Sequence, residues 1–238
     1  MEYVSEFVGS LIFLLGGYAY MCNITLKKTL VATLNYIELA VAWSLAVGFG
    51  LAVAVILGGP AYLNPGVVFG SMINGSLSLD KACLFLLMEF LAAGAAEIIC
   101  MIFFWDSFKA SKGIAKRGIF SAYPVEKNVP LNFVQEVFAT FLFLFLVLGT
   151  IKAASGDSAA LQIGVVGFAA VLILSLTLNS TGFSMNAMRS VFSSIWFALL
   201  PFPQKDGEKV DWSYQLIVNL IGSSVGGILA VIVVGVLF

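Results

Sequence analysis

Six stretches of this chain are apolar and long enough to cross a membrane, and two others are apolar but too short. A helix needs about 20 apolar residues to cross the hydrocarbon core. The six long stretches are 4–22, 37–57, 82–105, 132–152, 159–179 and 213–237. The two short stretches are about 65–75 and about 187–199, and they follow Asn64 and Asn186. The pattern predicts six transmembrane helices and two half-helices that do not cross the membrane.

The composition is that of an integral membrane protein and excludes several other classes. Hydrophobic residues make up 61% of the 238 residues and charged residues only 11%, which is too little polar surface for a soluble domain. The net charge of −1 gives no reason to expect a nucleic-acid partner. Because the chain has no histidine and its three cysteines follow no ligand spacing, we expect no metal, no cofactor and no enzymatic activity.

The two halves of the chain correspond to each other in sequence. Glu6 of the first half matches Glu136 of the second, and Asn64 matches Asn186. Since each half contains three spans, the second half enters the membrane from the opposite side, which produces an inverted repeat. The matching segments are "SEFVGSLIFLL" (5–15) with "QEVFATFLFLF" (135–145), and "LNPGVVF" (63–69) with "MNAMRSV" (185–191).

A hydrophilic stretch in the middle of the chain separates the two copies. It covers 106–131 and links repeat one, about 1–105, to repeat two, about 132–238. We therefore expect a single domain over 1–238.

The two asparagines precede helices that would begin at mid-membrane. Such a helix leaves unpaired N–H groups at its N-terminus, together with about half a positive charge. Asn64 and Asn186 stand at the N-cap, and Pro65 occupies the first helical position, where its missing N–H has no consequence. Two such ends that meet would offer amide donors to a passing solute and repel cations.

This ordered set of motifs resembles the major intrinsic protein family, the aquaporins and aquaglyceroporins, nearly end to end. The stretches "IFSAYP", "LNFVQE" and "LLPFPQKDGEKVDWSYQ" look particularly like bacterial glycerol uptake facilitators. The resemblance implies an all-α fold of six transmembrane helices and two re-entrant half-helices, and a homotetramer in the lipid bilayer of the plasma membrane. The family's paired Asn-Pro-Ala motifs correspond to Asn64, Pro65 and Gly66 and to Asn186, Ala187 and Met188.

The resemblance also implies a selectivity filter. Arg189 matches the family's filter arginine, and an arginine facing lipid would cost about 2.5–3.5 kcal/mol, so we expect it to face a watery pore. Phe183 and Trp43 match the aromatic filter positions of glycerol channels. Counting back from Phe183 without a gap places the fifth-span filter position at Leu174.

Further roles follow from the same resemblance. Tyr62 stands where aquaporins usually have histidine, and we expect it to line the pore. Glu6 and Glu136 are expected to accept hydrogen bonds from N–H groups of the re-entrant loops. Because the two motifs end in Gly66 and Met188 instead of alanine, we expect Met188 to fill the space that Gly66 leaves.

The favoured function is a passive channel for small uncharged solutes. We expect glycerol-like polyols to be the main permeants and water permeation to be modest. Since Leu174 would narrow the filter, the alternative permeants are hydrogen peroxide, dissolved gas and undissociated lactic acid. A proton-coupled transporter is an alternative of another class, because Glu89 and Glu97 also lie within a span, and intramembrane carboxyls are often functional.

Loop charge and the resemblance disagree on orientation. Most lysines and arginines outside the spans lie in the loops of one face, which the positive-inside rule makes cytoplasmic. The resemblance makes the same face extracellular, with both termini inside. We adopt the second orientation, because the half-helices are more specific to the fold than loop charge is.

Overall fold

Six long helices form the body of the protein, and each covers most of one of the apolar stretches. The structure, a computed structural model, describes residues 1–30, 35–154, 156–177 and 182–238. In chain order its helices are α1 (Glu2–Thr25), α2 (Tyr36–Ile56), α3 (Pro65–Ile73), α4 (Leu79–Phe103), α5 (Trp105–Ala110), α6 (Arg117–Phe120), α7 (Val129–Ala153), α8 (Ala159–Thr177), α9 (Ser193–Leu199), α10 (Trp212–Tyr214) and α11 (Ser223–Leu237). Two π-helical segments, Met188–Phe192 before α9 and Gln215–Gly222 between α10 and α11, join these helices. Helices α1, α2, α4, α7 and α8 and the continuous helix Trp212–Leu237 are long and apolar enough to span a membrane.

The helices are slightly longer than most of the predicted spans. Helix α1, for example, begins at Glu2 instead of residue 4 and ends at Thr25 instead of residue 22. Hydropathy detects only the segment inside the hydrocarbon, whereas the backbone hydrogen bonds of a helix continue into the interface. The predicted span 159–179 ends beyond α8, and its last two residues lie outside the described residues.

The two half-helices begin directly after the two motif asparagines. Helix α3 would be about 14 Å long and the helical segment from Met188 to Leu199 about 18 Å, against a hydrocarbon core of about 30 Å. The Asn64 side chain accepts a hydrogen bond from the Gly66 N–H at 2.9 Å, and the Asn186 side chain accepts one from the Met188 N–H at 2.9 Å. Each asparagine therefore caps the half-helix that follows it.

Each half-helix packs against a long helix of the opposite repeat. Helix α3, from the first repeat, packs mainly on α11, and α9, from the second repeat, packs on α4. The two repeats also meet along α2 and α8, where a Cβ added to Gly48 would lie 2.6 Å from the Gly164 carbonyl oxygen. Only glycine allows this backbone approach, which is a common device between transmembrane helices. The inverted repeat is thus interlocked.

The lysine-rich loops come together on one face of the bundle. The Lys27 N–H donates to Ser111 Oγ at 2.8 Å, which joins the loop after α1 to the loop after α5. Glu208, in the loop after α9, accepts from the backbone N–H groups of Lys116 and Arg117 at 2.7 and 2.9 Å. The charge-rich loops therefore form one continuous surface. Loop charge predicts that this surface is cytoplasmic, and the family resemblance predicts that it is extracellular.

Candidate functional site

A cavity of about 420 Å³ lies between the two repeats. Its wall comes from α1, α2, α7 and α8, from the loops that precede the two half-helices and the first turns of those half-helices, and from α6 with the loop that follows it. Of the residues singled out in the sequence, those in the wall are Trp43, Tyr62, Asn64, Phe183, Asn186 and Arg189. Those outside the wall are Glu6, Pro65, Gly66, Glu136, Leu174, Ala187 and Met188. The structure thus brings the two asparagines and three filter candidates to one space, with the helix starts behind them.

Two buried glutamates hold the loops that enter the membrane. Glu6, on α1, accepts hydrogen bonds from the Leu63 N–H at 2.5 Å and the Tyr62 N–H at 3.2 Å. Glu136, on α7, accepts the equivalent pair in the second repeat, from the N–H groups of residues 185 and 184, at 2.5 and 3.3 Å. Both carboxylates are fully buried. Since a buried charge without partners is costly, the loop N–H groups and the carboxylates stabilise each other.

The loop backbone is left-handed at matching places in the two repeats. Ala61 and Leu63 have φ of 53° and 44°, and Phe183 and Met185 have φ of 20° and 46°. Left-handed backbone is unfavourable for residues with a side chain, so it persists only where other contacts hold it. The hydrogen bonds to the two glutamates supply such contacts. One signal for this feature was present in the sequence, since Leu63 and Met185 both directly precede a motif asparagine.

The strained backbone directs two carbonyl groups across the repeat boundary. Asn64 Nδ2 donates to the Met185 carbonyl at 2.8 Å, and Asn186 Nδ2 donates to the Leu63 carbonyl at 2.6 Å. Each asparagine therefore uses its oxygen to cap its own half-helix and its amide to hold the opposite loop. This reciprocal pair was not foreseen in the sequence analysis, because hydrogen bonds between residues more than a hundred positions apart leave no local pattern.

Arg189 contacts the two other filter candidates in the cavity wall. The guanidinium carbon of Arg189 lies 4.4 Å from the centre of the Trp43 ring, a cation–π distance. Arg189 Nη1 donates to the Phe183 carbonyl at 2.9 Å and approaches the Gly182 carbonyl at 3.5 Å. The arginine is only 9% exposed, so its remaining N–H groups have little access to solvent except through the cavity.

Tyr18 of α1 supports the arginine from behind. Its hydroxyl donates to the Arg189 carbonyl at 2.9 Å and also forms a hydrogen bond with the Ser193 hydroxyl. The tyrosine is completely buried. Tyr18 was not predicted from the sequence, although a phenol near the end of an apolar span was a signal that a polar partner lies nearby.

Leu174 is the one filter candidate that the cavity does not include. The wall of α8 is formed by Val171 and Ser175, which are four residues apart and so lie on the same helix face. Leu174 lies three residues after Val171 and one before Ser175, and it is buried. Its role in the filter stays a prediction, and the hydroxyl-bearing Ser175 next to it lines the cavity.

Met188 does not fill the space beside Gly66. A Cβ added to Gly66 would lie 2.9 Å from the Ser223 carbonyl oxygen and 3.2 Å from the Gly227 Cα. The atoms nearest to this added Cβ thus belong to the backbone of the last long helix and to the side chain of Asn64. The expectation that Met188 fills the space left by Gly66 was wrong, because the backbone of a neighbouring helix occupies that space.

Glu89 and Glu97 do not lie in the cavity wall. Both are fully buried on α4, Glu89 beside Glu6 and Glu97 beside Ser193, without a hydrogen bond of ordinary geometry. Within the described residues, no group of three histidine, cysteine, aspartate or glutamate residues could hold a metal ion. The polar chemistry of the cavity therefore comes from asparagine, tyrosine, serine and arginine side chains and from backbone carbonyls.

Comparison with known proteins agrees with this architecture. Residues 1–234 match the family profile described as Major intrinsic protein. The chain is 31% identical to Glycerol uptake facilitator protein 2 of Lactiplantibacillus plantarum, with 96% of this chain and 95% of that protein covered. It is 28% identical to the D/L-lactic acid transporter of the same organism, with 96% and 94% covered. The X-ray structure of the aquaglyceroporin from Plasmodium falciparum has the same fold, with a TM-score of 0.79, 20% identity and coverage of 97% and 93%.

Proposed function

The chain belongs to the major intrinsic protein family, and we propose that it conducts glycerol-like polyols passively, with modest water permeation. It is a multi-pass protein of the plasma membrane. The observation that carries the proposal is the contact of Arg189 with Trp43 and with the Phe183 carbonyl in the cavity wall.

This contact gives the cavity wall a polar edge beside an apolar one. Arg189 supplies hydrogen-bond donors, and the hydroxyl-bearing Ser175 and loop carbonyls add further polar groups. Trp43 and Phe183 supply aromatic surface. A polyol has hydroxyls along one edge and carbon along the other, so it suits both surfaces. A solute that loses its hydrogen bonds to water and gains none from the protein is destabilised by about 1–3 kcal/mol for each polar group left unpaired.

Ions and protons are excluded electrostatically in this proposal. Arg189 carries a full positive charge, and the N-termini of the two half-helices point their partial positive charges toward the cavity centre. The reciprocal bonds of Asn64 and Asn186 keep these two helix ends together. A cation in the cavity would therefore meet three positive groups in succession.

A second candidate permeant is undissociated lactic acid. One relative of almost full coverage carries the name D/L-lactic acid transporter, and most of the cavity wall is apolar. Hydrogen peroxide and dissolved gas remain further alternatives from the sequence. Coupling to protons has less support, since Glu89 and Glu97 lie outside the cavity wall.

The proposed assembly is a homotetramer with one pore in each subunit. Its support is family membership together with the many large apolar side chains exposed on the outer helix faces, which must meet lipid or other subunits. Native mass spectrometry in detergent would test it, and a monomer under all mild conditions would contradict it.

The function is tested by a permeability panel on proteoliposomes. We expect glycerol flux well above that of empty liposomes, water flux raised only modestly, and no change when a protonophore is added. Lactic acid is tested below its own pKa, and hydrogen peroxide in parallel. Glycerol flux equal to that of empty liposomes, with rapid flux of lactic acid or peroxide, would contradict the polyol proposal.

A further inference from the structure

We propose that Gly17, a residue outside the cavity wall, determines the selectivity of the channel by leaving room for the Trp43 ring. The inference rests on the proposed function, because it concerns the width of the same filter. Gly17 lies in the middle of α1 and is buried, whereas Trp43 lies on α2 and reaches the cavity. Gly17 would thus act as a positioning residue.

The indole occupies the place where a side chain of residue 17 would be. A Cβ added to Gly17 would lie 2.1, 2.3 and 2.4 Å from the ring atoms Cζ3, Cη2 and Cε3 of Trp43. Carbon atoms in contact are normally about 3.5–4.0 Å apart, so even a methyl group would displace the ring by more than about 1 Å. The ring therefore keeps its present position only because residue 17 has no side chain.

The Trp43 ring is packed against aromatic residues of α1 and borders the cavity. Phe13 packs edge-on against it at 6.0 Å between ring centres, and Tyr18 packs in the same way at 5.9 Å. These α1 residues close the space on either side of Gly17, and the cavity is the open space that remains. A methyl group at position 17 would push the indole toward the cavity and toward the Arg189 guanidinium.

Arg189 has little freedom to move away from an advancing ring. Its carbonyl accepts a hydrogen bond from Tyr18, and its guanidinium donates to the Phe183 carbonyl at 2.9 Å. Helix α1 thus holds both sides of the filter, the indole through Gly17 and the arginine backbone through Tyr18. A small shift of the Trp43 ring would therefore narrow the space between the indole and the Arg189 guanidinium.

The chain contains a matched control contact away from the cavity. A Cβ added to Gly94 would lie 2.4 Å from a ring atom of Trp196, so this pair repeats the geometry of Gly17 and Trp43. Neither Gly94 nor Trp196 lies in the cavity wall. Gly94→Ala should therefore introduce a similar clash without changing the filter.

The test measures the ratio of glycerol to hydrogen peroxide permeability in proteoliposomes of wild type, Gly17→Ala and Gly94→Ala. We expect Gly17→Ala to lower this ratio severalfold, because a narrower filter retards the larger solute more. Gly94→Ala should keep the wild-type ratio even where its thermal stability falls. A wild-type ratio in folded Gly17→Ala, or an equal change in Gly94→Ala, would overturn the inference.

A rescue experiment covers the case in which Gly17→Ala does not assemble. Phenylalanine is shorter than tryptophan, so Gly17→Ala with Trp43→Phe should recover both the assembled protein and the permeability ratio of Trp43→Phe alone. Gly17→Ala with Trp196→Phe should recover neither. Rescue by both second changes, or by neither, would overturn the inference. Wild-type glycerol flux equal to that of empty liposomes would instead overturn the proposed function on which it rests.

Discussion

Gly66 shows at the residue scale how one missing side chain determines helix packing. The Cα of Gly227 and the carbonyl of Ser223 occupy the space that a Cβ would need. Both belong to backbone, which cannot move aside as a flexible side chain can. The glycine in the first motif is therefore a condition for the contact between α3 and α11.

Replacing Gly66 by alanine should destabilise the protein, by about 1–3 kcal/mol if it resembles other overpacked sites. Adding Met188→Ala should not restore stability, because Met188 is fully buried elsewhere and its truncation removes core packing. Thermal unfolding in detergent of both single variants and the double variant measures this. A double variant more stable than Gly66→Ala would mean that the two residues do share space.

At the scale of single elements, the two re-entrant loops depend on a carboxylate from a neighbouring helix. The left-handed residues Phe183 and Met185 lie in the same short segment as the Ser184 and Met185 N–H groups that donate to Glu136. Without an acceptor these N–H groups would be buried and unpaired. The loop would then lose the contact that offsets its backbone strain.

Glu136→Ala should lower thermal stability and the yield of folded protein, because each buried N–H left unpaired costs about 1–3 kcal/mol. The glycerol to water permeability ratio of the protein that does fold should change less than its stability does, because the lost contacts are those that hold the loop backbone. Glu38→Ala is the control, because Glu38 is an exposed glutamate on α2. Normal stability of Glu136→Ala, accompanied by altered selectivity, would show that the carboxylate acts on the permeant and not on the loop.

At the scale of the whole molecule, the two repeats are joined by the reciprocal hydrogen bonds of Asn64 and Asn186. Each bond runs from one repeat to the loop of the other, and both bonds connect the same two loops. Loss of one bond should therefore loosen the geometry on which the other depends. Contacts that share structural elements in this way are usually not additive.

Asn64→Ala and Asn186→Ala should each destabilise the protein by about 0.5–2 kcal/mol through the lost cap alone, and by more through the lost cross-repeat bond. The double variant should differ from the sum of the two by about 0.5–3 kcal/mol, the range found for directly coupled residues. A double-mutant cycle of unfolding in detergent gives this coupling. Strict additivity would show that the two bonds act independently.

Much of the architecture could be predicted, because the relevant physics is local in sequence. Apolar runs long enough to cross the hydrocarbon core predicted the six helices, and Asn64 and Asn186 marked the starts of the half-helices. The side chains of α8 that line the cavity, Val171 and Ser175, could not be predicted by counting, because they depend on the rotation of α8 about its axis. A step of one residue along a helix rotates the side chain by about 100°.

The sequence by itself determined which segments lie in the membrane, where the half-helices begin and which side chains could form a filter. Hydropathy, capping and residue chemistry are properties of short segments, so they can be read without coordinates. The tertiary structure decided which of those side chains meet: Arg189 over Trp43, Asn64 on the opposite loop, and Trp43 in the space left by Gly17. These contacts join residues that are distant in the chain, and they form only when helix packing has fixed the rotation and separation of every helix.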